Sequence, residues 1–253
     1  MTGLKYMARK ALNRLGVDVR RVRATNDGVW SNPPSRTKHQ RIFPAATYSP
    51  WLDDQAFLNV YRRIKNHTLV DIYRCYELWS LAKQTSRVDG HILEVGVWRG
   101  GTGAILAEAV KDLPKKVYLA DTFTGVVKAG PNDPSYTGGE HSDTSLTVVK
   151  TLMDSLTIGN TELLQGVFPE DTQDRVHGKI ALLHSDVDVY SSTRDIVQWC
   201  LPRLSVGSVL VFDDYGFSGC EGVTAYCDEF RNQGTFCFLY NLNGHAVLIK
   251  TRE

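Results

Sequence analysis

The sequence carries no excess of charge of either sign. Its 253 residues include 29 lysines and arginines against 28 aspartates and glutamates. A protein that binds nucleic acid or an anionic membrane over a broad surface usually has a marked basic excess, so neither kind of partner is indicated. We therefore expect the protein to recognise a small molecule at a local site.

Cysteine motifs and long apolar runs are also missing. The five cysteines form no C-x-x-C pair and no zinc-ligand spacing, which favours buried free thiols over a disulfide framework or a zinc site. No run approaches about 18 consecutive apolar residues and the N-terminus has no apolar signal core, so we expect no integral membrane segment and a cytoplasmic location. A chain of this length supports one sizeable core plus an extension.

The first 50 residues differ in character from the rest. Residues 1–23 hold seven basic side chains, one acid and apolar residues near helical spacing, which predicts a short basic amphipathic helix. Such a helix either contacts an anionic surface or packs on its own domain or a sister subunit. Residues 25–50 are irregular and contain prolines, as in a linker or a flap on the substrate side. We assign residues 1–50 to this extension.

Segments typical of strands and helices alternate along the rest of the chain. We expect one domain over 51–253, with a helical lead-in over 51–86 and a core over 91–253. Short apolar strands separated by helices require right-handed crossovers and a mostly parallel sheet covered on both faces. The last two predicted strands, 235–240 and 245–250, are joined by a short turn and must be antiparallel. The predicted fold class is α/β, with a Rossmann-like, mostly parallel seven-stranded sheet ending in an antiparallel hairpin, similar to class I methyltransferases.

A glycine-rich turn follows the first predicted strand. Glycines let the backbone approach a ligand closely, and the free N–H groups at a helix start favour a carboxylate such as the methionine end of a cofactor. Twenty residues after Gly101, Asp121 stands at the tip of the second strand, where its carboxylate can accept hydrogen bonds from both ribose hydroxyls. The alternative is that Glu94 and Asp121 are acids at strand ends that only solvate a loop. The predicted cofactor site contains Glu94, Gly96, Gly100, Gly101, Thr102 and Asp121.

The pattern of nicotinamide-dinucleotide dehydrogenases is absent from this turn. Their G-x-G-x-x-G motif has its second glycine where Trp98 stands here, two residues after Gly96. Trp98 and Arg99 are candidates for contact with the cofactor, and a purely structural role for Trp98 is an equal alternative. S-adenosylmethionine is therefore the favoured cofactor, and an NAD(P)-type Rossmann oxidoreductase is the alternative.

Carboxylates also follow the fourth and fifth predicted strands. Because the carboxyl ends of parallel strands meet at one edge, Asp186, Asp213 and Asp214 should converge there and repel one another unless a cation intervenes. All-oxygen ligands suit Mg²⁺ or Mn²⁺, which can bind vicinal oxygens of a sugar or catechol. Asp186 is the favoured general base. Asp188 is the alternative base or only orients the next helix, and His184 is expected to be a packed histidine.

With these residues in place, the chain resembles the macrocin O-methyltransferase family, whose members methylate deoxysugars of antibiotic natural products. The resemblance covers about residues 67–230. It rests on the blocks LEVGVWRGG (93–101), ADTFTG (120–125), GVFPEDT (166–172), SDVDVY (185–190) and DDY (213–215). The resemblance implies a Mg²⁺-dependent O-methyltransferase with metal ligands at Asp186, Asp213 and Asp214, the first acting as base. It also adds Thr122, Phe123 and Gly166 to the predicted cofactor site.

The resemblance implies a small, sugar-containing acceptor, and it leaves other points open. By position, loop 126–143 resembles a lid over cofactor and acceptor, but its sequence does not match the antibiotic enzymes closely. We expect this lid to be mobile in the free protein and ordered with both ligands bound. A non-catalytic sugar- or nucleotide-binding relative is a further alternative. The acceptor and the oligomeric state stay open, a homo-oligomer included.

Overall fold

The structure is a computed structural model that describes residue 12, two short strands, β1 (Val29–Trp30) and β2 (Arg41–Ile42), and residues 46–253. Strands β1 and β2 pair antiparallel. The chain separates into two compact units, Met1–Tyr48 and Ser49–Glu253. Apart from residue 12, which is helical, the predicted basic helix over 1–23 lies outside the described residues.

Two helices precede the sheet, α1 (Gln55–Ile64) and α2 (Ile72–Gln84). The apolar pattern predicts helices over 51–65 and 69–83. Each observed helix begins a few residues later, because an aspartate caps it. The side chains of Asp54 and Asp71 accept the backbone N–H of the third helical residue at 3.0 and 2.9 Å. Such a cap satisfies a donor that the first helical turn leaves free and contributes roughly 1 kcal/mol.

A seven-stranded sheet forms the centre of the second unit, in the order β5-β4-β3-β6-β7-β9-β8. Strands β3 to β7 run parallel, and β9 is antiparallel to both β7 and β8. The predicted fold class is confirmed, including the C-terminal hairpin. The strands are β3 (His91–Val95), β4 (Val117–Asp121), β5 (Thr161–Gln165), β6 (Ile180–Ser185), β7 (Leu204–Phe212), β8 (Phe236–Tyr240) and β9 (Ala246–Lys250).

Helices cover both faces of this sheet and divide the core into two apolar clusters. One cluster packs under α1, α2, α3 (Gly101–Ala109) and α4 (Leu146–Leu156). The other packs under α5 (Tyr190–Cys200) and α6 (Glu221–Phe230). The parallel strands are buried on both faces, as their unbroken apolar sequences predict.

Helix α5 differs from the prediction at both ends, since its pattern predicts a helix over 193–204. It begins at Tyr190 because the backbone N–H of this residue donates to the buried carboxylate of Asp133 at 2.9 Å. It ends at Cys200, where a 3₁₀ turn containing Pro202 follows and leads into β7. The partner that fixes the start lies 57 residues away in sequence, so local periodicity carries no sign of it.

Four of the five cysteines are buried free thiols, as predicted. Cys237 is free but exposed, which corrects the expectation for this residue. It lies on β8, the last strand at one edge of the sheet. Within the described residues, no helix combines the length and apolar character needed to cross a bilayer.

Candidate active site

A cavity of about 350 Å³ lies beyond the carboxyl ends of the parallel strands. The order of the strands reverses between β3 and β6, and open α/β sheets bind their ligands at such a point. Much of the predicted site is brought together here. The predicted site residues that line the cavity are Gly96, Trp98, Thr102, Asp121, Thr122, Gly166, Asp186, Asp213 and Asp214.

Backbone strain is concentrated at this edge of the sheet. Trp98, Phe123, Asp188 and Asp214 have positive φ angles of 47°, 54°, 64° and 63°. Each of them follows a different parallel strand: β3, β4, β6 and β7. A non-glycine residue in this conformation costs on the order of 1–3 kcal/mol and persists only where its surroundings hold it. Three of the four, Trp98, Asp188 and Asp214, line the cavity, which makes it the candidate functional site.

Gly96 brings the glycine-rich turn against the loop that carries Asp186. Its φ angle is +90°, and a Cβ atom at this position would lie 1.6 Å from the backbone oxygen of Asp186. The backbone N–H of Asp186 donates to the carbonyl of Val95 at 2.9 Å. Only glycine allows both the conformation and the close approach. The candidate cofactor turn and the candidate base are therefore held together by the backbone.

The carboxylate of Asp121 organises the same turn. One oxygen accepts the N–H groups of Val97 and Trp98 at 2.7 and 2.8 Å, and the other accepts that of Phe123 at 2.6 Å. An ionised carboxylate has about four acceptor positions. Three are occupied by the protein's own backbone, which fixes the orientation of Asp121 and leaves capacity for one further donor.

Some predicted cofactor residues do not line the cavity. The carboxylate of Glu94 is fully buried, with one oxygen 2.9 Å from His184 Nδ1. Arg99 pairs with Asp143 at the surface at 2.7 Å. Gly101 donates its N–H to the loop before α2. A cofactor contact from these residues stays a prediction. The residues in question are Glu94, Arg99, Gly100, Gly101 and Phe123.

Three aspartates converge where β6 and β7 end. Asp186, Asp213 and Asp214 each offer a carboxylate oxygen, and these oxygens all lie within 4.8 Å of one another. Asp213 is buried, at 4% exposure, and all three face the cavity. We call these three residues the acidic centre. Its all-oxygen donor set and its opening to a cavity fit a hard divalent cation such as Mg²⁺.

The acidic centre is electrostatically unbalanced. Burial raises the pKa of Asp186 well above its ordinary value, and the charges of Asp213 and Asp214 raise it further. Burial likewise raises the pKa of Asp214, and the neighbouring Asp213 and Asp188 add to the effect. Asp213 differs: burial opposes its ionisation, but the close contact with His245 and the charges of His245 and Arg74 outweigh burial and lower its pKa. Of the three aspartates, Asp213 is thus the one whose ionised form the surrounding residues stabilise.

The residues that hold Asp213 were not anticipated from the sequence. Arg74 Nη1 lies 2.6 Å from Asp213 Oδ1, and His245 Nε2 lies 2.9 Å from the same oxygen. Behind His245, its Nδ1 lies 2.6 Å from a carboxylate oxygen of Glu77. The available signal was the spacing Asp71-x-x-Arg74-x-x-Glu77, which places an acid three residues before and three residues after Arg74.

The predicted lid, loop 126–143, is fastened at several points. Asp133, 2% exposed, accepts the N–H of Gly130 at 2.9 Å and that of the first residue of α5. The hydroxyl of Tyr136 donates to Asp188 at 2.7 Å. At the far end, Asp143 accepts from the indole of Trp98 at 2.8 Å. These contacts connect the loop to the turn after β3 and to the segment after β6. The mobility of the loop without ligands stays a prediction.

Solved structures with the same fold define the class of protein. The O-methyltransferase NovP superposes with a TM-score of 0.65 at 24% identity, covering 74% of this chain and 83% of that one. The calicheamicin methyltransferase CalS11 gives 0.61 at 17%, covering 81% and 94%. An SAH-bound methyltransferase of Podospora anserina, PaMTH1, gives 0.56 at 12%, covering 84% and 100%. At these identities the likeness concerns the fold, which is that of class I O-methyltransferases.

The sequence then gives the family. The macrocin-O-methyltransferase (TylF) family matches residues 63–238, and the chain belongs to this family of O-methyltransferases. The resemblance inferred from the sequence blocks is confirmed. Membership of this family makes the chain an enzyme.

Three curated relatives are named as O-methyltransferases, one of them with a rhamnosyl-bearing substrate. Mycinamicin III 3''-O-methyltransferase of Micromonospora griseorubida is 30% identical over 182 residues, 64% of this chain and 71% of the relative. The 8-demethyl-8-(2,3-dimethoxy-alpha-L-rhamnosyl)-tetracenomycin-C 4'-O-methyltransferase of Streptomyces olivaceus is 27% identical over 169 residues, 61% and 65%. Demethyldecarbamoylnovobiocin O-methyltransferase of Streptomyces niveus is 28% identical over 183 residues, 65% and 68%. The chain thus spans about two thirds of the length of these relatives.

Proposed function

We propose that the protein transfers a methyl group from S-adenosylmethionine to a hydroxyl of a sugar-bearing small molecule, assisted by Mg²⁺ or Mn²⁺. The observation that carries this proposal is the acidic centre, which opens into the same cavity as the glycine-rich turn and Asp121. The tetracenomycin relative supports the acceptor class, since the substrate in its name carries a rhamnosyl group. A sugar hydroxyl is a weak nucleophile, so it needs both a base and charge stabilisation to react.

The turn between β3 and α3 suits the cofactor. Gly96 and Thr102 line the cavity, so the turn borders the space in which a ligand would bind. Asp121 keeps one acceptor position beyond its three backbone contacts, which suits a ribose hydroxyl. We assign the ribose of S-adenosylmethionine to Asp121 and its methionine end to the start of α3.

The acidic centre suits the acceptor side. A bound divalent ion supplies a positive charge that acidifies an acceptor hydroxyl and orients it. Asp186 lies beside the cofactor turn, in backbone contact with Gly96, and we assign it the role of base. Asp188 is the weaker candidate, because one of its oxygens already accepts from Tyr136. In the transfer, a lone pair of the hydroxyl oxygen forms the new C–O bond, the sulfonium S–C bond breaks, and the hydroxyl proton passes to Asp186. The by-product is S-adenosylhomocysteine.

Methyl transfer from radiolabelled S-adenosylmethionine to a panel of glycosides tests this function. Label should appear on at least one glycoside and on none of the matching aglycones. Thermal shift with S-adenosylhomocysteine and with NAD separates a methyltransferase from an oxidoreductase. Stabilisation by NAD alone, with no label transferred, would overturn the proposal. Stabilisation by S-adenosylhomocysteine without transfer to any glycoside would favour the non-catalytic relative.

Asp121→Ala is expected to weaken S-adenosylhomocysteine binding by roughly 1–3 kcal/mol, because it removes a ribose acceptor and frees three backbone donors. Isothermal titration calorimetry measures the change. Asp143→Ala is the matched control, since Asp143 contacts Trp98 and Arg99 of the same turn and does not line the cavity. Equal losses in both variants would mean that Asp121 only shapes the turn.

A further inference from the structure

One face of helix α2 points a row of charged residues toward the acidic centre. Arg74 and Glu77 are three residues apart in α2 and are therefore neighbours on its surface, and Asp71, three residues before Arg74, is the N-cap of the helix. Arg74 reaches Asp213 directly, and Glu77 reaches it through His245. Both connections end on the same oxygen, Asp213 Oδ1. The second oxygen, Oδ2, takes part in neither contact.

Arg74 is built into this position. It is 6% exposed, and its Nε lies 2.8 Å from Asp71 Oδ2 while its Nη1 lies 2.6 Å from Asp213. Asp71 also caps α2 by accepting the backbone N–H of Arg74. The guanidinium stacks on the ring of Phe217, 5.0 Å from its centroid. Side chain and backbone are therefore both fixed, and an arginine does not lose its proton in a protein.

The charge of Arg74 matters because the acidic centre is a costly arrangement. Three carboxylates within 4.8 Å of one another repel strongly in a partly buried cavity. A cation in direct contact with one of them offsets part of this repulsion whether or not a metal ion is present. Among the described residues that line the cavity, Arg74 is the sole arginine or lysine.

We propose that Arg74 is a resident counter-cation for the acidic centre. It lets the three aspartates coexist in the metal-free protein, and its positive charge lowers the affinity of the centre for the divalent ion. The ion therefore binds reversibly and is exchanged readily. Arg74 is a positioning residue, because it touches Asp213 and not the reacting atoms. The statement about affinity rests on the proposed metal site, whereas the statement about the metal-free protein does not.

The geometry sets the sign of the expected effect. When Arg74 is replaced, the contact between His245 Nε2 and Asp213 Oδ1 is still present. His245 itself is positioned by its contact with Glu77. The ligand therefore stays in place, and the main loss is one positive charge near the ion. Removing a like charge from the neighbourhood of a cation tightens its binding.

The experiment compares the intact protein with Arg74→Met, Arg74→Lys, Asp213→Asn and the double variant Arg74→Met/Asp213→Asn. In EDTA, Arg74→Met should melt several degrees lower, and adding Asp213→Asn should recover most of this loss. In saturating Mg²⁺, the rise in melting temperature should be larger for Arg74→Met than for the intact protein. Calorimetry with Mn²⁺ should show roughly tenfold tighter binding, and Arg74→Lys should return both values toward those of the intact protein.

Arg203→Met is the matched control. Arg203 also stacks on an aromatic ring, 3.9 Å from the centroid of Trp199, and donates to a backbone carbonyl, but it contacts no carboxylate in the described part of the chain. Its replacement should leave the response to Mg²⁺ unchanged. An equal Mg²⁺ response in the intact protein and Arg74→Met, or strictly additive losses in the double variant, would overturn the proposal.

Two further outcomes are informative. If Arg74→Met does not fold, a folded double variant supports the proposal. An unfolded double variant beside a folded Asp213→Asn overturns it, since Arg74 would then matter only for packing on Phe217. Failure of the metal site itself is distinguishable, because the intact protein would then bind neither Mg²⁺ nor Mn²⁺ while the metal-free comparison of Arg74 and Asp213 could still be made.

Discussion

EDTA is expected to abolish methyl transfer, and Mg²⁺ or Mn²⁺ should restore it. The reason is the acidic centre, where three carboxylate oxygens lie within 4.8 Å and all open to the cavity. Asp186→Asn should cost the most, roughly 10³-fold in rate, because it removes a ligand and the base together. Asp213→Asn and Asp214→Asn each remove a ligand only and should cost less.

The loss should fall on the rate and not on the cofactor. Asp121 binds the backbone N–H groups of Val97 and Trp98, and Gly96 meets Asp186 through its backbone, so the three carboxylates are not needed for the proposed cofactor contacts and S-adenosylhomocysteine affinity should survive all three changes. Asp228→Asn serves as a control, since Asp228 accepts from the neighbouring Tyr215 and does not line the cavity. Full activity in excess EDTA, together with an active Asp186→Asn, would refute the metal-assisted mechanism and leave the fold and family untouched.

Gly96→Ala is expected to destabilise the protein by about 3–5 kcal/mol, at the upper end of what single substitutions do. The added Cβ would lie 1.6 Å from the backbone oxygen of Asp186, and the residue would be held at a φ angle of +90°. Backbone atoms cannot rotate away as a side chain can, so the Asp186 loop must shift. Urea unfolding measures the loss, and the folded fraction should have little transferase activity.

Gly159→Ala is the matched control for this substitution. A Cβ at Gly159 would meet no atom within 4 Å, and its backbone does not adopt the left-handed conformation. It should change stability by less than about 1 kcal/mol. Similar losses for both glycines would show that the contact between Gly96 and Asp186 does not hold the turn and the loop together.

The parts of the fold that the sequence predicts best are those with purely local causes. The sequence predicts strands over 117–121 and 161–165, and β4 and β5 have these ends because short apolar runs and their flanking turns determine both. The next comparison is β7, predicted over 208–212. It begins at Leu204, four residues earlier, since Gly207 at φ +91° interrupts the apolar pattern without ending the strand. Helix α5 starts early because of Asp133, which no local window contains.

The same distinction applies to the candidate site. Asp186, Asp213 and Asp214 could be placed together because parallel strands carry their carboxyl ends to one edge. Arg74 and His245 could not, since the first comes from a helix before the sheet and the second from beside its antiparallel strand. Their role follows from contacts across the fold. Likewise, the contact between Glu94 and His184 joins two different strands, so a motif confined to β3 cannot predict it.

The contact between Glu77 and His245 joins residues 168 positions apart, and that between Arg74 and Asp213 joins residues 139 apart. Contacts of such long range tend to form late in folding, because the chain between them must first be ordered. Strand β9 also lies between β7 and β8, so β8 has no neighbour in the sheet until β9 is in place. On the ribosome, the three aspartates therefore emerge before the histidine that fixes Asp213. Synthesis of residues 245–250 therefore supplies both the strand that joins β7 to β8 and the histidine that contacts Asp213.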